Sequence, residues 1–236
     1  MAVDFNWDPF IRASWQARED QANRQHASGR SDAGTRGAVT GGGHLNALQG
    51  AIADLFRNAP GIDLDVRSRK GDQTRTLPGY FRPTKDWDIV VLHRGVLVAA
   101  IELKSQSGSF GNNFNNRTEE AIGNAVDLRA AFEHNGLGII RPWLGFVMVL
   151  EAAESSTTAR RIGTAAFPTD PAFGETSYLD RYRILMRRLL DEGQYDAGAI
   201  VASVKGQGIT QDPKDDLSLP KFAEAVHARI EAIRQG

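Results

Sequence analysis

The sequence predicts an α/β protein, more narrowly an α+β arrangement with a mixed sheet and helices on both sides. Three observations carry that expectation. Helix-like and strand-like patterns follow one another as α-β-β-β-α-β between residues 44 and 150. The two strands at 87–93 and 96–104 are apolar almost throughout, as strands covered on both faces are. No linker-like segment divides two hydrophobic sets, so residues 1–236 read as a single domain.

The elements follow in order. Asp8-Pro9 starts a helix that runs to about Gln25, since Asp can cap and Pro suits the first helical position. Residues 28–43 are glycine-rich without apolar periodicity and read as a mobile loop or a segment that orders on binding. Leu45, Leu48, Ile52, Leu55 and Phe56 make one stripe of a helix over 44–58. Ile62, Leu64 and Val66 alternate with Asp63, Asp65 and Arg67, the pattern of a strand with one wet face. Arg94-Gly95 joins the two apolar strands as a hairpin. Residues 105–116 read as a polar loop, and 118–134 as a helix capped by Thr118. A buried strand at 144–150, a helix over 177–192, a strand at 197–204 and a helix from Leu219 complete the chain.

Composition narrows the function. There is no cysteine, which excludes a disulfide scaffold, a thiol nucleophile, a zinc–thiolate site and an iron–sulfur cluster. The first ten residues lack a basic region followed by an apolar one, and no apolar run is long enough to span a bilayer. The expected location is cytoplasmic. Lys plus Arg total 28 against 29 Asp plus Glu, a net charge of −1. That balance argues against indiscriminate coating of nucleic acid but not against a basic cleft.

One constellation carries chemistry. Side chains alternate along a strand, so Glu102 and Lys104 share a face, with Ala100 and Val98 behind them and Ile101 and Leu103 opposite. Residues 89–94 and 96–101 are equal arms of six around Gly95, which brings Asp88 beside Glu102. Two carboxylates and the Leu103 carbonyl are hard oxygen ligands for Mg²⁺. Such an ion lowers the pKa of a bound water and offsets charge developing on a phosphate. Lys104 can orient or help deprotonate that water. Asp86 shares parity with Asp88 and is the rival ligand. Asp88 is preferred because it abuts the apolar run.

Asp-x(13)-Glu-x-Lys in this element order resembles the PD-(D/E)xK nuclease superfamily, with Trp87 where the motif's name has Pro. The segments Leu77-Pro-Gly-Tyr-Phe-Arg-Pro-Thr, Trp87-Asp88, Ala100-Ile-Glu102-Leu-Lys104-Ser-Gln and Phe110-Gly-Asn-Asn-Phe-Asn-Asn-Arg-Thr-Glu-Glu-Ala121 are similar to the XhoI family of type II restriction endonucleases. The likeness spans residues 77–150. It implies a restriction-endonuclease-like core and Mg²⁺-dependent cleavage of double-stranded DNA at a palindrome, with CTCGAG the expected target and 5′-phosphate ends. A palindrome implies a homodimer. A cognate DNA methyltransferase would be a functional partner rather than a stable complex. Asp88 and Glu102 carry over as metal ligands and Lys104 as the catalytic lysine. A repair or junction-resolving nuclease, or a catalytically inactive DNA-binding module, remains the alternative.

Further candidates surround this centre. Gln49, with Asn46 one turn before it, is a catalytic candidate on the first core helix. Asn112, Asn113, Asn115, Asn116 and Arg117 suit base edges or phosphates, or else make a polar turn. Arg67, Arg69, Lys70, Arg75, Arg82 and Lys85 form a basic stretch suited to phosphates, with Arg69, Lys70 and Arg82 put forward as DNA contacts. Glu119 and Glu120 read as acids at a helix start. His44 and His134 lack a metal-ligand partner at helical spacing. Gly41-Gly42-Gly43 lacks the Lys and Ser/Thr of a nucleotide-binding loop.

Overall fold

A computed structural model describes residues 5–27, 42–69, 73–163, 166–210 and 215–235. The glycine-rich segment falls almost wholly outside the described residues, and so does Lys70.

Helix α1 covers Asp8–Ala27, and a 3-10 turn at Gly42–Leu45 leads into α2, Asn46–Arg57. Strand β1 is Asp65–Arg67; β2 (Thr76–Pro78) and β3 (Thr84–Asp86) form a separate small hairpin. Strands β4 (Ile89–His93) and β5 (Val96–Gln106) precede α3, Phe110–Asn135. Strand β6 (Trp143–Glu151) is followed by the one-turn α4 (Glu154–Thr157) and the short pair β7 (Arg160–Arg161) and β8 (Glu175–Thr176). Helix α5 (Tyr178–Asp191), β9 (Ala197–Ser203) and α6 (Leu219–Gln235) complete the fold.

The main sheet has the order β1-β4-β5-β6-β9. β1, β4 and β5 are antiparallel neighbours, and β5, β6 and β9 run parallel. The mixed sheet is therefore as expected. Each face buries its own core. Trp15, Leu48, Ile52, Phe56, Phe222 and Val226 bring α1, α2 and α6 against Ile101, Leu103 and Val147. On the other face Phe110, Ala125, Leu128, Tyr182 and Met186 bring α3 and α5 against Ala100, Phe146 and Met148. Burial on both faces is why these strands carry little polar alternation.

The hairpin differs from its expected count. Arg94 and Gly95 both have positive φ, 49° and 80°, so the two together form the turn. Five residues of β4 then face six of β5 up to Ile101. The register shifts between Val91, opposite Ala99, and Leu92, opposite Leu97, which leaves Val98 as the extra residue of a bulge. Val98 consequently joins Ile101 and Leu103 in one core and does not lie behind Glu102. Beyond the bulge Ile89 pairs with Ile101, so Asp88 still falls opposite Glu102.

Four local expectations are corrected. The polar segment 110–116 is not a loop: α3 starts at Phe110, after Gly108 and Ser109 turn the chain with φ of 66° and 45°. Thr118 is therefore inside the helix, where its hydroxyl donates to the Phe114 carbonyl at 3.0 Å instead of capping. Glu119 and Glu120 likewise sit in the third turn, away from the start. The strand expected from Ile62 is shorter, beginning at Asp65. The helix expected over 177–192 is α5, and Ser177 caps it: its Oγ accepts from the Asp180 N–H at 3.1 Å.

Candidate active site

Asp88 stands in the residue just before β4, at the end where β4 stops and β5 continues. One of its carboxylate oxygens accepts a hydrogen bond from the Leu103 N–H at 2.7 Å. Within a strand the N–H and C=O of a residue leave on the same side, so the Leu103 carbonyl is also aimed toward Asp88. The Asp88 backbone is held from below. Its carbonyl accepts from Gln49 Nε2 at 2.7 Å and Arg75 Nη1 at 3.3 Å. Gln49 Nε2 also donates to the Ser68 carbonyl at 2.5 Å, and Arg75 Nη1 to the Trp87 carbonyl at 2.6 Å. Gln49 thus acts on the chain around Asp88. It ties α2 to the segment following β1 and to the start of β4.

Glu102 is 3% exposed and lies between two ammonium groups. Lys104 Nζ is 2.5 Å from one carboxylate oxygen, and Lys85 Nζ is 2.8 Å from the other. Lys85 arrives from β3, stacks over the Trp87 ring and donates to the Asp86 carbonyl at 2.9 Å. Two partners make this desolvated carboxylate tenable, since a buried charge left alone is expensive. Asp86 itself is exposed and accepts from the Thr76 hydroxyl, so the structure separates it from this cluster.

The charges act on one another. Burial, then the Glu102 carboxylate, pushes Asp88 up to about 6; the Leu103 N–H and the two lysines oppose that rise. Burial alone would lower Lys104, but the charge and hydrogen bond of Glu102 prevail and raise it. Lys104 is therefore an ammonium near neutral pH. Two close carboxylates, with the charge of Glu102 disfavouring ionisation of Asp88, beside a hard carbonyl oxygen are a donor set that suits a divalent cation. Among the described residues no group of three or more His, Asp or Glu side chains is arranged to hold a metal. Water and phosphate oxygens would have to complete the coordination, as Mg²⁺ habitually allows.

A pocket of about 360 Å³ opens above this centre, lined by His44, Asp88, Lys104, Asn113, Arg117 and Glu120 among others. His44 Nε2 is 2.5 Å from Ser105 Oγ, which also accepts from Arg18 Nη1 at 3.2 Å. Asn113 and Asn116 reach the pocket from the first turns of α3, while Asn112, Asn115 and Asn116 are exposed. The first turn of α3 has no acidic residue and no side-chain cap. Its free N–H groups suit an anion.

The structure gathers Asp88, Glu102, Leu103, Lys104, Asn113, Asn116 and Arg117 at one place. Arg82 is elsewhere engaged: its Nε donates to Asp127 at 2.7 Å and its Nη2 to Asn124 at 2.9 Å, which fastens the β2–β3 loop to α3. Arg69 is exposed just beyond β1. Sequence reasoning missed that Lys85 belongs to Glu102, that Arg75 holds Asp88, and that His44 and Glu120 line the pocket. A lysine three residues before Asp88 was the available signal for the first. The others depend on long-range packing that no local pattern announces.

A mixed sheet with an aspartate ahead of one strand and Glu-x-Lys on the next is the architecture of a PD-(D/E)xK-type nuclease. The comparisons with known proteins specify it. The family described as "Restriction endonuclease XhoI" matches residues 24–212, and the chain belongs to that family. The type II restriction enzyme BstVI of Geobacillus stearothermophilus is 38% identical over 222 residues, covering 89% of this chain and 97% of that relative. The type II restriction enzyme XhoI of Xanthomonas vasicola is 45% identical over 166 residues, covering 70% of this chain and 66% of that relative. AbrI of Azospirillum brasilense, also a type II restriction enzyme, is 42% identical over 153 residues, 64% of this chain and 67% of its own. No solved structure matches the chain. The protein is thus a site-specific deoxyribonuclease whose substrate is double-stranded DNA. Among the described residues, no helix is long and apolar enough to cross a membrane.

Proposed function

We propose that the protein cuts both strands of a palindromic site, CTCGAG, as a homodimer with Mg²⁺, leaving 5′-phosphate and 3′-hydroxyl ends. The observation that carries the catalytic part is the meeting of Asp88, Leu103 and the Glu102–Lys104 pair at the mouth of one pocket. Asp88, Glu102 and the Leu103 carbonyl would hold the ion, which supplies an acidified water and charge stabilisation at the phosphate.

The chain's own residues do the rest. Glu102 keeps Lys104 protonated, so the lysine acts as a fixed positive charge and hydrogen-bond donor to the phosphate oxygens. Water attacks the phosphorus and gives up its proton to solvent, while the bond to the 3′ oxygen breaks and that oxygen is protonated from solvent. Gln49 and Arg75 hold the Asp88 backbone while the charge redistributes. Asn112, Asn113, Asn115, Asn116 and Arg117, now on the first turns of a helix, are the residues assigned to bases and adjacent phosphates. A cognate methyltransferase would protect the host's own copies of the site.

The test is digestion of a plasmid of known sequence by purified protein, with Mg²⁺ and with a chelator, followed by run-off sequencing of the ends. Discrete ends at CTCGAG that require the metal are expected. Discrete ends at another sequence would overturn the target. Cuts placed by DNA structure would overturn the restriction role.

A further inference from the structure

Arg117 does not face the pocket as a free cation. It is the fourth residue before Ala121 on α3, and its Nη1 is paired with the carboxylate of Glu120, one turn further along the helix. Its side chain is 15% exposed, and its Nε is buried without a hydrogen-bond partner. One edge of the guanidinium fork is thus already satisfied by a carboxylate, while another donor awaits an acceptor. Glu120 is 43% exposed, lines the same pocket, and is among the charges that act on Lys104. It sits where an incoming phosphate oxygen or base edge would compete with it.

We propose that Glu120 is a specificity-determining residue: it occupies Arg117 as an internal competitor that DNA must displace before the site is cleavage-competent. This rests on the reading of Arg117 as a DNA contact. The logic is one of populations. Competition lowers the engaged fraction of a bound duplex by a constant factor when that fraction is small, but barely lowers a fraction already close to one. A cognate duplex, with all its base contacts, drives engagement to completion. A single mismatch weakens binding roughly ten- to a hundredfold and returns engagement to the regime where Glu120 competes. Glu120 therefore widens the difference in cleavage rate between right and nearly right sites. It needs no contact with a base.

The experiment is single-turnover cleavage with Mg²⁺ at saturating enzyme, on the cognate duplex and on one with a single base-pair change. Glu120→Gln keeps the shape and exposure of the side chain and removes its charge. The ratio of mismatched to cognate rate is expected to rise about fivefold. Glu119→Gln, an exposed neighbour with the same change in net charge, is expected to shift the ratio far less. In an Arg117→Ala background Glu120→Gln should no longer act on it. An unchanged ratio in Glu120→Gln, an equal rise in Glu119→Gln, or a persistent effect without Arg117 overturns the inference alone. Absence of site-specific cleavage by the unmodified protein overturns the functional reading and the inference with it.

Discussion

The Asp88 carboxylate accepts the backbone N–H of Leu103 at 2.7 Å, and so joins the start of β4 to the residue between Glu102 and Lys104. This bond does what β4 no longer can, because β4 pairing ends at Ile89 opposite Ile101. It holds a carboxylate against the sheet end while leaving its second oxygen for a ligand. The cost of that placement is electrostatic: desolvation of the half-buried Asp88, then the charge of Glu102, pushes it up to about 6.

A stability experiment reads that cost. The Asp88 pKa is raised on folding, so the metal-free folded state binds its proton more tightly than the unfolded chain does. Below about pH 4 both states are protonated and nothing is lost; between 4 and 6 the unfolded state ionises first, and above 6 the full penalty is present. Asp88→Asn removes the penalty and keeps an acceptor for Leu103. Thermal unfolding without divalent metal should show the variant a few degrees more stable at pH 7 and level with the parent near pH 4. A variant less stable at pH 7 would contradict the strained carboxylate.

Glu102→Gln should lower cleavage by about a thousandfold while duplex binding persists, since the substitution removes charge at the reacting centre and leaves the outer contacts. Gel-shift affinity and nicking of supercoiled plasmid, measured together, check it. Full nicking by the variant would remove Glu102 from the mechanism.

Gln49→Ala leaves the Asp88 and Ser68 carbonyls short of a donor near a 7% exposed side chain. A loss of about 1–3 kcal/mol in stability is expected. Cleavage should fall about ten- to a hundredfold through misplacement of Asp88. Denaturant unfolding and single-turnover rates separate the two effects, and a variant with a normal rate would confine Gln49 to folding.

Arg117 and Arg82 should part company in salt titrations of DNA binding. Arg117→Ala should reduce the slope of log affinity against log salt by about 0.9, the share of one phosphate contact. Arg82→Ala should lower the melting temperature and leave that slope alone. Its partner Asp127 also accepts the Tyr80 and Phe81 N–H groups at 2.9 and 2.8 Å, so the pair is a fastening of the loop. A slope change in Arg82→Ala would restore it as a DNA contact.

Strand identity and the facing of Glu102 and Lys104 were legible in the sequence because both depend on a local period of two and on apolar runs that need cover on both faces. The opposition of Asp88 and Glu102 was legible too, although the arms are unequal and a bulge at Val98 absorbs the difference. The Asn-rich segment was misread because Asn, Ser and Gly favour turns locally. Packing of Phe110 and Phe114 against α5 carries the helix through them. Only the tertiary structure could assign the basic residues of the stretch before Asp88: Lys85 to Glu102, Arg75 to Asp88, and Arg82 to Asp127. A charge run looks uniform along the chain, and which carboxylate or carbonyl each cation meets is set by contacts between elements far apart in sequence.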